Sequence, residues 1–128
     1  EQRSKKDLVI STGGWSDPML RVRPHQVNRL YLHCIAAYPT PMDEVQLGAI
    51  GRYGLDGFSD HTGLVQMGAY AVMAGARILE AHLRADDTDP ANPDSRVALN
   101  PEGFVQYVQN VREAEMCFGV GESWHSAS

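Results

Sequence analysis

Apolar residues fall along this chain in short runs, separated by glycine, proline and small polar residues. Asp7-Leu8-Val9-Ile10-Ser11-Thr12 ends at Gly13-Gly14, as a buried strand ends at a tight turn. Leu30 to Ile35 is a second such run, Leu55 to Ser59 a third and Arg77 to Leu83 a fourth. Between them the pattern changes. Trp15 to Asn28 carries Pro18 and Pro24, which permit only a short helix or an irregular crossover. Tyr38-Pro39-Thr40-Pro41 reads as an extended loop, because each proline disfavours helix at the residue before it. Asp43 to Ile50 predicts about two helical turns before Gly51 and Gly54, and the Ala/Gly/Met-rich stretch from Gly63 to Ala76 predicts a helix. Asn100-Pro101 starts a last helix, with an N-cap residue and a proline at the first helical position. Phe104, Val108, Val111 and Phe118 give that helix one apolar face, expected to be core. The tail from Gly119 to Ser128 is expected to fray.

The resulting order is βαβαβαβα with nearly continuous apolar strands, which indicates a parallel sheet covered by helices, an α/β fold. Four βα units are half of a TIM-type (β/α)₈ barrel, which takes roughly 250 residues. The 128 residues are therefore expected to form one (βα)₄ half-barrel domain, residues 1–128. Such a half leaves two strand edges and an apolar concave face to be covered.

The strand ends carry the chemistry. His61 closes Gly57-Phe58-Ser59-Asp60-His61, and His82 closes Arg77-Ile78-Leu79-Glu80-Ala81-His82. Neighbouring strands of a parallel βαβ unit end at the same sheet edge, so both imidazoles can face one site. Flanked by Asp60 and Glu80, they form the start of a metal centre, with a third ligand to come from one of these carboxylates or from substrate. Satisfied histidines at strand ends are the plainer alternative. His33 is expected to be structural, under the loop beside Cys34, whereas His25 and His125 suggest nothing beyond solvent exposure. Asp86 to Arg96 is a polar loop whose acidic residues read as a solvated face, with a calcium-like oxygen cage as the remoter option.

A net charge of −5 with scattered Lys and Arg argues against nucleic-acid binding. The most apolar stretch, Leu64 to Leu79, is too short and too polar to span a membrane. Cys34 and Cys117 make no disulfide framework, and with no signal-peptide pattern ahead of the first strand the expected setting is cytoplasmic. The chain begins at Glu1, which leaves open a processed form or a piece of a longer protein.

Ile10-Ser11-Thr12-Gly13, Leu32-His33-Cys34, Tyr38-Pro39-Thr40-Pro41, Ser59-Asp60-His61-Thr62, Glu80-Ala81-His82 and Pro93-Asp94 stand in the order found in the sialic acid synthase family. The resemblance runs from about Asp7 to Phe118, the second half of that family's catalytic barrel, and includes its 21-residue step between the two histidines. It implies a metal-dependent condensation of phosphoenolpyruvate with N-acetylmannosamine or a related acylamino sugar. The enolpyruvate C3 attacks the sugar aldehyde, water adds at C2, and phosphate leaves by C–O cleavage. His61 and His82 then correspond to ligands of a divalent metal, usually Mn²⁺. Ser11 and Ser59 match positions that hold phosphoenolpyruvate. Tyr38, Glu80 and Asp94 match contacts to the sugar, with Glu80 and Tyr38 as the catalytic candidates.

The chain also departs from that pattern. Ala36 stands where a polar residue often lies, and Asp94 follows a Pro90-Ala91-Asn92-Pro93 segment one residue longer than usual. The family's first four βα units, with their phosphate-gripping lysines, and its antifreeze-like domain have no counterpart among these residues. A second copy of the chain or a separate N-terminal half is the expected partner. Two other readings remain: a non-catalytic half-barrel that binds or supports, and an unrelated metal-dependent sugar isomerase or aldolase.

Overall fold

The computed structural model describes residues 7–14 and 28–119. Strands β1 (Leu8–Ser11), β2 (Arg29–Cys34), β3 (Gly57–Asp60) and β4 (Ile78–Ala81) lie side by side in chain order, and every neighbouring pair is parallel. Helices α1 (Gly48–Tyr53), α2 (Met67–Met73) and α3 (Pro101–Phe118) accompany them. Sequential parallel neighbours produce a sheet that curls one way, and the four strands form a half-barrel, as expected. The Trp15–Asn28 crossover, apart from Asn28, and the tail beyond Gly119 lie outside the described residues, as do His25 and His125.

Strand alternation and register sort the side chains onto two faces. Leu32 pairs with Gly57, Cys34 with Ser59 and Ser59 with Glu80, so these share the concave face, together with Val9 and Ser11 of β1. Tyr31, His33, Phe58, Asp60 and Leu79 share the helical face. There Phe58 joins Val45, Ile50, Met67, Ala71 and Ala76 in the buried core, with Leu47, Leu64 and Leu79 packed against it. Burying aliphatic and aromatic side chains contributes on the order of 2 kcal/mol each, so this outer layer holds the half-barrel together.

Element boundaries differ from expectation where side chains or backbone geometry interrupt a helix. The Asp43–Ile50 stretch is a single 3-10 turn, Met42–Glu44, followed by Gln46 at φ 53°, and only then by α1. That helix runs through Gly51 and stops at Gly54, which takes the left-handed conformation (φ 62°) of a C-terminal cap. Helix α2 is shorter than Gly63–Ala76. Gly63 sits at φ 69° against the backbone of Val97, and the Thr62 hydroxyl accepts the Leu64 N–H, so the chain turns before it winds. β4 ends at Ala81, but the line continues as a small ladder. Leu99 N–H donates to the His82 carbonyl and Arg84 N–H to the Leu99 carbonyl, at 2.8 and 2.9 Å. This ties both ends of the acidic loop down beside the second histidine.

The last helix begins as expected, with the Asn100 side chain accepting the Gly103 N–H at 2.8 Å and Pro101 in the first turn. Its apolar stripe does not form core. Tyr107 and Ala114 are the buried residues, whereas Val108 and Phe118 are 40% and 55% exposed. Phe104, Val108, Val111 and Phe118 instead line an open groove of about 510 Å³ beside β4, where the next unit of a closed barrel would pack.

Candidate functional site

His61 follows β3 and His82 follows β4, so adjacent parallel strands deliver both rings to the C-terminal edge of the sheet. Their centroids lie 5.2 Å apart. Tyr38, on the loop after β2, stacks on His61 at 4.1 Å and meets His82 edge-on at 6.4 Å. That loop is anchored to the histidine itself: Thr40 N–H donates to the His61 carbonyl at 2.8 Å, and the Thr40 hydroxyl donates to the Ala37 carbonyl at 2.9 Å. The Tyr38–Pro39 peptide is cis.

The His61 tautomer follows from its partner. Nδ1 lies 2.8 Å from the Ile35 carbonyl oxygen, which can only accept, so Nδ1 donates, and Nε2 is the ring nitrogen left for another partner, with Cys34 Sγ 3.9 Å away. His82 Nδ1 lies 3.9 Å from Asp94 Oδ2, and its Nε2 is buried without a hydrogen-bond partner. A metal ion held at ~2 Å by two imidazole nitrogens places the ring centroids roughly 5 Å apart. The 5.2 Å spacing, the His61 Nε2 left over from the Ile35 bond and the orphaned nitrogen of His82 fit two ligands of one divalent ion.

The flanking carboxylates have different roles. Asp60 faces the helices, where its oxygens accept from Thr62 and Tyr107, so it is not a third ligand. Glu80 faces the site and accepts the Ser59 hydroxyl on Oε2. Parity along the strand already separates them, since Glu80 is two residues from His82 and Asp60 one from His61. Among the described residues no three His, Cys, Asp or Glu side chains converge on one point as metal ligands. The same holds for the Asp86–Arg96 loop: Asp89 and Asn92 bind their own backbone, at Ala91 and Asp94 N–H, and no oxygen cage forms there.

Tyr38, Ser59, His61, Glu80, His82 and Asp94 thus converge. Ser11, at the end of β1, shares their face but pairs with Leu32 of β2, two strands away from β3 and His61. Ser59, turned to Glu80, reaches an anion only by exchanging that partner. His33 is structural, as expected: its Nε2 lies 2.7 Å from the Val45 carbonyl and its ring stacks on Phe58.

Cys34 is the residue that sequence reasoning missed. Its Sγ lies 3.6 Å from His61 Nδ1, and a Cβ on Gly13 would come within 3.1 Å of it. The signal was present, since Cys34 ends the second strand as the histidines end the third and fourth. Burial pushes its thiol pKa up, with Glu80's charge adding to that and the polar neighbours Ser59 and the Gly13 backbone pulling it partly back. Partial burial, followed by the nearby Cys34, Asp94 and Glu80, likewise raises the Tyr38 phenol. Both groups keep their protons at neutral pH.

A one-way curl of parallel strands with its polar groups at the C-terminal edge defines half of a TIM-type barrel with the site at its mouth. The chain belongs to the NeuB family, whose model matches residues 2–123. It is 33% identical to the N,N'-diacetyllegionaminic acid synthase of Legionella pneumophila over 92% of its length, and 30% identical to the N-acetylneuraminate-9-phosphate synthase of Homo sapiens over 93%. It spans only 37% and 36% of those two proteins. The crystal structure of the N-acetylneuraminic acid (sialic acid) synthetase of Leptospira borgpetersenii superposes on 91% of the chain with a TM-score of 0.73 at 22% identity, and the match covers 44% of that structure. This last likeness establishes the fold. No helix among the described residues is long and apolar enough to cross a membrane.

Proposed function

We propose that this chain is the C-terminal half of the catalytic barrel of a nonulosonate synthase. That enzyme condenses phosphoenolpyruvate with N-acetylmannosamine or a related acylamino sugar and releases phosphate. The observation that carries the reading is the His61–His82 pair, 5.2 Å apart, with His61 bound to the backbone through Nδ1 and His82 Nε2 orphaned, beneath the Tyr38 ring. Relatives named for legionaminic, neuraminic and pseudaminic acid synthesis support the product class.

His61 and His82 would hold the divalent ion, Mn²⁺ in our reading. When bound, it supplies Lewis-acid polarisation of the sugar aldehyde. The protein's own groups do the rest. Tyr38 keeps its proton and donates it in a hydrogen bond to a sugar oxygen, stacked in place by His61. Glu80 is oriented by Ser59 through Oε2, which leaves Oε1 to accept from a sugar hydroxyl. Asp94 receives hydroxyls from the far side of His82. Ser11 and Ser59 line the path of phosphoenolpyruvate. The C3 of the enol attacks the aldehyde carbon, water adds at C2, and phosphate departs with its bridging oxygen. Further cations for the phosphate would come from a second half-barrel, either a separate N-terminal half or another copy of this chain. The free thiols Cys34 and Cys117 suit a reducing compartment, and we place the reaction in the cytoplasm.

A calorimetric Mn²⁺ titration, with and without phosphoenolpyruvate, tests this reading. Saturable binding is expected that phosphoenolpyruvate tightens and His82→Ala weakens at least about tenfold. Phosphate release with candidate sugars is then the second assay. No binding under any condition would instead assign the chain to the non-catalytic class, a half-barrel that binds or supports.

A further inference from the structure

Asp60 immediately precedes the first histidine, yet it points away from the site. It is 3% exposed, on the helical side of the sheet, and every hydrogen bond it makes is accepted there. Its Oδ1 takes the Thr62 N–H at 2.8 Å and the Thr62 hydroxyl at 2.7 Å. The first of these closes an Asx turn with His61 at its centre. Its Oδ2 takes the Tyr107 hydroxyl at 3.0 Å, across 47 residues of sequence. Tyr107 belongs to α3 and is 4% exposed. Its ring lies over Gly68, where a Cβ would come within 2.5–2.7 Å of three of its atoms, so the phenol has one place to lie.

We propose that Asp60 and Tyr107 are a positioning pair for His61, through which helix α3, from outside the sheet, sets the turn that aims the first imidazole into the site. The backbone of His61 is gripped by the Asx turn and by Thr40, and its ring by Ile35. The Nδ1–H bond to Ile35 favours one tautomer, with Nε2 as the nitrogen left for a metal, and it survives only while the turn holds its angle. A buried carboxylate with three donors is a stiff anchor, and Tyr107 contributes the one donor that comes from outside the turn.

The inference rests on the metal reading for its purpose, but not for its test. Tyr107→Phe removes the hydroxyl and keeps the ring over Gly68. In the metal-free protein, the imidazole ¹⁵N shifts of His61 should report one Nδ1–H tautomer for the native chain and a mixture for Tyr107→Phe. Mn²⁺ affinity should fall about tenfold in the same variant. Ala114→Gly, on the same helix without contact to Asp60, should lower the melting temperature and move neither reading. Asp60→Asn retains an oxygen for the turn and offers an amide to the Tyr107 oxygen, so it should hold the tautomer that Asp60→Ala loses. Unchanged His61 shifts in both Tyr107→Phe and Asp60→Ala would overturn the proposal. If the native chain binds no Mn²⁺, the metal reading fails, and the ¹⁵N shifts still decide whether the pair positions His61.

Discussion

Gly57 lets β3 lie close against its neighbours. A Cβ there would lie 2.0 Å from the Ile78 carbonyl oxygen and 2.9 Å from Leu32 Cδ2, so even one methyl forces backbone apart. Gly57→Ala is therefore expected to cost roughly 3 kcal/mol, at the upper end of overpacking penalties. Urea unfolding measures this, and an unchanged midpoint would mean the strands part freely. The polar side chains beside Gly57 were mostly legible from sequence, because strand ends and a two-residue period place Ser59, Glu80, His61 and His82. Asp60 was misplaced among them, since it is adjacent to His61 in sequence while strand alternation puts it on the opposite face. Cys34 was read only as a cysteine outside any disulfide framework, although its thiol touches His61.

At the scale of elements, α3 shows how local signals and packing divide the work. Its start is encoded locally: the Asn100 side chain accepts the Gly103 N–H, and Pro101 needs no partner for a missing donor. Asn100→Ala should cost about 1 kcal/mol in chemical unfolding, and an unchanged midpoint would mean that the cap contributes nothing. Its burial is not encoded locally. Periodicity identifies an apolar stripe but not what it meets, and here Tyr107 and Ala114 take the covered side while Phe118 stays open. The same limit applies to α1 and α2, whose edges are set by Gln46 and Gly63 at positive φ and by the Val97 backbone.

For the whole molecule the important fact is that both edges of the sheet are open among the described residues. The sheet ends at β1 and β4 with no further strand among the described residues. Leu8 and Val9 on the first edge are 46% and 50% exposed, and the apolar groove runs beside the other. Unpaired parallel edges and an apolar groove favour association. We therefore expect the chain to form dimers or larger assemblies in sedimentation equilibrium, with a second four-stranded half closing the barrel. A well-folded monomer at every concentration would rule this out for the chain by itself.

The sequence by itself determined the α/β class, the four strands, the half-barrel and the pair of histidines at one edge. Each depends on short-range periodicity, on turn residues, or on motifs held in register along the chain. The tertiary structure alone decided that Asp60 serves a turn and a helix rather than the site, and that the stripe on α3 lines a groove. It also decided that His61 turns Nδ1 to the Ile35 carbonyl and leaves Nε2 toward the site. These outcomes turn on groups far apart in sequence, 47 residues between Asp60 and Tyr107 and 26 between Ile35 and His61, and no local pattern specifies which distant group a side chain will meet.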